Sequence, residues 1–383
     1  MKIERIIIAM DSFKGSISSL EAANCVAQGI QRVKTDVELI KVPIADGGEG
    51  TLTALMHGFP DAYVVEKIVQ GPLGTLVNAQ FGMLTAESAI IEMAQASGLL
   101  YTQQSEQDVL RASTYGVGEL ILAALDEGAT TIYLGLGGSG TNDGGMGMAQ
   151  ALGVKFYQAD DSPVSAGLQG IGQVSRIDIS GMDSRIAKMN FKILADVKNP
   201  FIGMNGATAV YGPQKGVPQD LVAKYDAWMS HFAIIISRDV GVEISQVLGS
   251  GAAGGLGGGL LAFCQAEITS GIAEILTLLQ AENVIKDADL VITGEGRIDG
   301  QSLAGKAPIG VARLAQKYQI PVIALVGGRT TDLGLVYESG VDIVLPILPR
   351  PMTLNEAIEE VEMNLVLAGE TVMRMVTLSK KIK

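Results

Sequence analysis

Five stretches of this 383-residue chain set acidic, lysine or amide side chains among glycines directly after short apolar runs. Lys14 lies in DSFKGS, and Asp46 and Glu49 lie in PIADGGEGT. Asn142 and Asp143 end GLGGSGTND, and Asp196, Lys198 and Asn199 sit in ADVKNP. Glu295, Asp299 and Lys306 occupy DLVITGEGRIDGQSLAGKAP. One aspartate beside a glycine is ordinary turn chemistry. Five such loops at the same end of strand-like runs point instead to ligand groups gathered along the edge of a sheet.

The residue types suit phosphoryl transfer. Glycine lets backbone N–H groups approach phosphate oxygens, and helix N-termini add partial positive charge. Magnesium takes a few carboxylates together with phosphate oxygens and water, so a site rich in aspartate and poor in histidine suits it. Lysines then offset the charge on the transferred group while a carboxylate orients and deprotonates the attacking hydroxyl. His57 and His231 are isolated, which leaves proton chemistry to carboxylates or lysine.

Two other nucleotide signatures are incomplete. Gly135, Gly137 and Gly140 satisfy G-x-G-x-x-G, the pattern of a nicotinamide-dependent oxidoreductase. The loop nevertheless runs on into Thr141-Asn142-Asp143 where a helix should have begun, and no acidic residue ends a second strand at the proper distance. Gly300, Gly305 and Lys306 have phosphate-loop spacing, but Ala307 stands where a magnesium-holding hydroxyl is needed. A phosphometabolite-binding regulator is the non-enzymatic alternative, and it predicts tight binding without turnover.

The elements that must position these loops follow from hydrophobic period. Arg5 to Met10 reads as a strand, and Ser18 to Val33 as a helix with Leu20, Ala23, Val26, Ala27 and Ile30 on one face. Val37 to Val42 is the next strand. Two strand–loop–helix units in succession begin a parallel, doubly wound sheet. From Ala62 to Met93 close-spaced short strands suggest a meander. A helix over 115–126 leads to a strand over 131–134, and another buried strand covers 191–194. Asp160 to Gln173 is polar and reads as an exposed excursion. Gly249 to Gly259 reads either as a flexible linker or as a tightly packed anion loop. Leu290 to Ile292 returns to buried strand, followed by a loop with Glu295 and Arg297 and a helix from Pro308 to Lys317. Strands at 322–326 and 342–345 and one helix over 354–376 close the chain. The fold class is therefore α/β with two α/β domains. A discontinuous Rossmann-like parallel-sheet domain takes residues 1–61 and 283–383, and an inserted mixed-sheet domain takes 62–282.

Composition narrows the partners. A net charge of −13 and a single tryptophan argue against nucleic acid or an anionic membrane surface. Cys25 and Cys264 are widely separated, so a disulfide framework or zinc site is not expected and inert buried thiols are. No leader segment or membrane span is recognisable, which points to the cytoplasm. A small molecule is the expected partner of a monomer or homodimer.

DSFKGS, PIADGGEGT, GLGGSGTNDGG, ADVKNPFIG with GPQKG, GAAGGLGGG and DLVITGEGRIDGQSLAGKAPIGVA, in this order, closely resemble the type I glycerate kinase family. The resemblance spans essentially the whole chain. Met10 before Asp11 departs from the proline common in that family, and Val197 and Phe201 are mild variants. It implies an ATP- and magnesium-dependent kinase of D-glycerate, in bacteria usually acting at the 2-hydroxyl. It also implies two α/β domains with the active site in the cleft between them. On these motifs, Asp196 or Asp46 is expected to take the proton from the glycerate hydroxyl, with Lys14 beside the reaction. Glu295 and Asp299, with Asp143, are expected to hold magnesium. Ser12, Gly47, Gly48, Gly138, Asn142, Lys215 and Lys306 are expected to contact phosphate or substrate. Lys215 could instead be a solvated loop charge, and Asp46 or Asp196 could cap the helix that follows.

Overall fold

The computed structural model describes residues 3–298 and 306–378. They group into two compact units. The first comprises Met1–Asp46, Thr53–Gly58 and Gly271–Lys383, and the second Gly47–Leu52 and Phe59–Ser270. In chain order the strands are β1 (Arg5–Met10), β2 (Glu38–Lys41), β3 (Tyr63–Gln70), β4 (Leu76–Thr85), β5 (Ser88–Glu92), β6 (Thr131–Gly135) and β7 (Lys155–Tyr157). They continue with β8 (Arg176–Asp178), β9 (Asn190–Leu194), β10 (Glu267–Thr269), β11 (Leu290–Ile298), β12 (Val322–Arg329) and β13 (Ile343–Pro346).

The first unit is built on a sheet of order β13-β12-β11-β1-β2. Every pair in it is parallel, with Ile6 opposite Leu290 and Ile292 opposite Ile323. Ile6, Ile7 and Ile8 are all fully buried because helices cover both faces, the condition that makes such strands continuous apolar runs. From β1 the chain moves to β2 on one side, whereas β11, β12 and β13 step away on the other. The order therefore reverses between β1 and β11, the place where open α/β sheets bind ligands.

On one face lies the helix Ser19–Gln31, whose Ser18 and Glu21 form a reciprocal capping box. The final helix, Val361–Leu378, packs directly on it. The approach is close enough that a Cβ on Gly29 would run into the Val366 carbonyl, and one on Gly369 into that of Val26. The other face carries Ala307–Gln316, which begins with proline in its first turn as the sequence requires.

The second unit has a mixed sheet of order β10-β9-β6-β5-β4-β3. Its β3–β4–β5 meander is antiparallel, while β5, β6, β9 and β10 run parallel. A two-stranded ribbon of β7 and β8 stands apart from it.

Four local expectations need correction. Glu295 and Arg297 are not in a loop, because β11 continues to Ile298 and pairs both residues with β12. The stretch from Gly249 is not a linker: Ala252–Cys264 is a helix buried along almost its whole length. Its first turn is left-handed, with φ of 53°, 65° and 88° at Ala253, Gly254 and Gly255, which two glycines make affordable. The 160–173 stretch is not simply exposed, since Val164, Leu168 and Ile171 enter a core with Phe156 and Phe232. The closing helix is two helices, Leu354–Glu359 and Val361–Leu378, separated where Glu360 leaves helical geometry.

Candidate active site

In the first unit, the C-terminal ends of β1 and β11 meet over a cavity of about 640 Å³. Asp11, Ser12, Lys14, Asp46, Glu295 and Lys306 all line it. Asp11 is the first residue beyond β1 and is held there by its own N–H, which donates to the Gly294 carbonyl at 2.9 Å. Its Oδ1 accepts from the Ser12 N–H at 2.7 Å. Lys14 Nζ lies 3.4 Å from Asp46 Oδ2. Lys306 Nζ, just ahead of its helix, lies 3.3 Å from Glu295 Oε2 and donates to the Arg297 carbonyl at 3.0 Å.

Three carboxylates served by two lysines make an electrostatically unsettled site. Burial, reinforced by Asp46 and Glu295, pushes the Asp11 carboxyl up to about 7. Burial likewise lifts Glu295 to about 7, although Lys306 opposes it. For Lys14 burial works against the charge, but Asp46 and Asp11 outweigh it and hold the ammonium above its ordinary value. Glu295 Oε1 is buried with no hydrogen-bond partner. A carboxylate oxygen so placed is costly unless something binds it.

The second unit gathers another group around the loop after β6. Asp143 is fully buried and accepts from the Thr114 N–H at 2.7 Å, the Thr114 hydroxyl at 2.9 Å, and the N–H groups of Gly145 and Gly147. Burial raises its pKa, and those four donors pull against the rise. Asn142 donates to the Thr208 hydroxyl at 2.9 Å, while its Oδ1 is buried without a partner. Lys215 is not a solvated loop charge. It is 1% exposed, and its Nζ donates to Ser139 Oγ and the Thr141 carbonyl, each at 2.7 Å. Burial lowers its pKa to about 7, with Asp143 opposing.

The glycines of this unit work by close approach. A Cβ on Gly47 would lie 2.6 Å from the Leu194 carbonyl, and one on Gly137 2.6 Å from Gly48 Cα. Gly138, at φ +72°, faces Ala94. Gly47 and Gly48 are thereby laid on the ends of β6 and β9. After β9, Asp196 Oδ1 accepts from Ser270 Oγ at 2.8 Å. Asn199 uses its carbonyl to receive the N–H groups of Gly249 and Gly251.

The expected site residues thus form two groups. Ser12, Lys14, Asp46, Glu295 and Lys306 share the cavity of the first unit. Gly47, Gly48, Gly138, Asn142, Asp143, Asp196 and Lys215 belong to the second. Asp299 lies outside the described residues. Among the described residues no group of three or more His, Cys, Asp or Glu is poised to hold a metal ion. Sequence reasoning assigned no role to three residues that matter here. Asp11 follows an apolar run just as Asp46 does, which was its signal. Thr114, the partner of Asp143, had none. Glu92, buried at the end of β5, accepts from the Leu52 N–H at 2.8 Å and also had none.

A doubly wound sheet with clustered carboxylates and lysines at its switch point, joined to a mixed-sheet unit of glycine loops, defines an α/β phosphotransferase of small molecules. The sequence pattern of the glycerate kinase family matches residues 6–377. Glycerate 2-kinase of Escherichia coli K12 is 45% identical over 354 residues, covering 92% of this chain and 93% of its own length. Glycerate kinase of Bacillus subtilis 168 is 45% identical over 356 residues, 93% of each chain. A crystal structure of glycerate kinase 2 from Salmonella typhimurium LT2 is 40% identical and superposes with a TM-score of 0.87 over 99% of this chain and 100% of that one. The chain belongs to the glycerate kinase family. It is an enzyme that phosphorylates glycerate, with ATP as the phosphoryl donor its family implies. Among the described residues no helix is long and apolar enough to cross a membrane.

Proposed function

We propose that the chain is a cytoplasmic enzyme, monomeric or homodimeric, that transfers the γ-phosphoryl group of ATP to the 2-hydroxyl of D-glycerate. The observation that carries this reading is the convergence of Asp11, Asp46 and Glu295 with Lys14 and Lys306 on one cavity. Its chemistry is that of phosphoryl transfer, in which positioning and charge supply most of the rate.

Asp46 is the carboxylate we assign to the glycerate hydroxyl proton, because Lys14 holds it at the cavity wall. Asp196 is the competing candidate. Lys14 and Lys306 offset charge on the phosphoryl group, and Ser12 supplies a nearby hydroxyl. Gly47, Gly48 and Gly138 are the glycines we assign to phosphate contact within the second unit, where they pack against Leu194, Gly137 and Ala94. Lys215 braces the loop that carries Gly138 by donating to Ser139 and Thr141, while Asp143 fastens that loop to Thr114 and Asn142 fastens it to Thr208.

The donor set fits magnesium: hard carboxylate oxygens, among them the unpartnered, buried Glu295 Oε1, suit an ion that keeps water and phosphate oxygens as its other ligands. Glu295, with Asp299 beyond the described residues, would hold it, and Asp143 is too fully engaged to contribute. Magnesium, when bound, would neutralise phosphate oxygens.

A coupled assay with D-glycerate, ATP and magnesium, with the product identified by NMR, tests the reaction. Phosphorylation at the 3-position, or none, would overturn it. Asp46→Asn is expected to lower kcat by roughly 100-fold or more with Tm unchanged, the scale of a lost general base. If Asp196→Asn shows that loss and Asp46→Asn does not, the base is Asp196.

A further inference from the structure

Two kinds of side chain line the cavity of the first unit: the charged set just described, and a carbon set of Phe13, Leu348, Met352, Leu354, Ala357 and Ile358. We propose that this carbon set seats the base and ribose of the nucleotide whose phosphates lie against Lys14 and Lys306. The inference rests on the kinase reading above and names the part of the chain that recognises the donor.

Size is the first argument. A space of about 640 Å³ is far larger than a three-carbon acid fills and lies within the range of pockets for drug-sized ligands. Exposure is the second. Leu354 and Ile358 stand one turn apart on the short helix Leu354–Glu359, 75% and 37% exposed. Two apolar side chains on one helix face, opening on the same cavity as Met352 and half-buried Leu348, offer area to a flat apolar ligand.

Among the described residues, the hydroxyls that accompany these apolar side chains are already committed. Ser16 Oγ donates to the Ile358 carbonyl at 3.0 Å. The Thr353 hydroxyl is spent in a capping box with Glu356. What remains for a ligand is contact surface, which suits the faces of a heteroaromatic ring and excludes a small, strongly hydrated acid.

Rigidity is the third argument. Thr353 caps the helix, and Arg350 pairs with Glu356 at 3.3 Å and Glu360 at 2.8 Å. The Ser16 bond ties the helix to the DSFKGS loop, which also carries Lys14. One short loop therefore joins both sets, as a ligand with an apolar head and an anionic tail requires. The pocket also lies at the switch point of a parallel sheet, where nucleotides are held in other doubly wound folds.

The test compares KM for ATP and for D-glycerate in Leu354→Asp and Ile358→Asp. Leu335→Asp, at another exposed leucine of the same unit, is the control for added surface charge. Affinity for ADP is measured on the same proteins by calorimetry. The expected result is a rise of roughly tenfold or more in KM for ATP, with a parallel loss of ADP affinity. KM for glycerate and Tm stay near the wild-type values, and Leu335→Asp changes neither KM. Unchanged KM for ATP, a rise in KM for glycerate alone, or a change only in oligomeric state would each overturn the proposal. If the wild-type chain fails to phosphorylate glycerate, the kinase reading falls by itself. The ADP titrations then still decide whether this pocket takes a nucleotide.

Discussion

At the scale of single residues, the first unit accumulates negative charge where water is scarce. Asp11 and Glu295 are both lifted to about 7, chiefly by burial and each by a neighbouring carboxylate as well. Groups whose folded pKa is raised stabilise the fold below their unfolded pKa, and that contribution is lost as pH rises through the folded value. In metal-free protein, the stability of Asp11→Asn relative to the wild type should therefore rise between pH 5, already above the ordinary carboxyl value of 3.8, and pH 8, above the folded value of about 7. The gain should be on the order of 2–4 kcal/mol, read from denaturant midpoints at the two pH values. A relative stability that fails to rise over that interval would mean that the ionised carboxylate is better paired than its surroundings indicate. At this scale the sequence exposed residue types more readily than burial. Lys14, Asp46 and Lys306 were legible as polar residues after strands, and they do line one cavity. The burial of Lys215 and Asp143 was not legible. Both depend on partners far along the chain, Ser139 for one and Thr114 for the other.

At the scale of elements, the strands were the most readable part, because Ile6–Ile8 and Leu290–Ile292 are apolar without interruption. The helix Tyr115–Asp126 also lay where its periodicity set it. The glycine-rich helix Ala252–Cys264 was not readable as a helix, since seven glycine or alanine residues in its first eight positions give no apolar stripe. It forms because its backbone can press against other backbone. Gly254 sits at φ +65°, and its carbonyl accepts the Gly144 N–H at 3.0 Å. A Cβ there would collide with the Thr141 carbonyl. Gly254→Ala should accordingly cost on the order of 2–4 kcal/mol of stability, from a disfavoured backbone conformation and the clash together. Thermal unfolding checks it. A loss below about 0.5 kcal/mol would show that the loop and the helix start yield easily. The break at Glu360 was missed because Leu354 to Val376 keeps helical periodicity across it.

At the scale of the whole molecule, the two units differ in how the chain assembles them. The second is almost one continuous segment, Phe59–Ser270. The first pairs β1 with β11, joining Ile6 to Leu290, so its sheet waits on contacts across most of the sequence. Long loop closure is entropically costly and slows such pairing. On refolding from denaturant, amide protection should appear in β6 and β9 before β1 and β11, as pulse-labelled hydrogen exchange would record. Simultaneous protection would mean that the units fold as one. The parallel, doubly wound character of the first sheet was legible from repeated strand–loop–helix units, whereas its strand order was not. The fold class was readable for the same reason, since the grammar of the first sixty residues returns after β11.

The contact of Gly29 and Gly369 with opposing carbonyls ties the helix Val361–Leu378 to the helix Ser19–Gln31. A polypeptide halted on the ribosome, or clipped by a protease before Val361, would leave Ala22, Val26 and Ile30 facing water. Such a fragment would be sticky and readily captured by the cell's degradation machinery. The first helix of the chain thus depends for its cover on a segment that is made long after it.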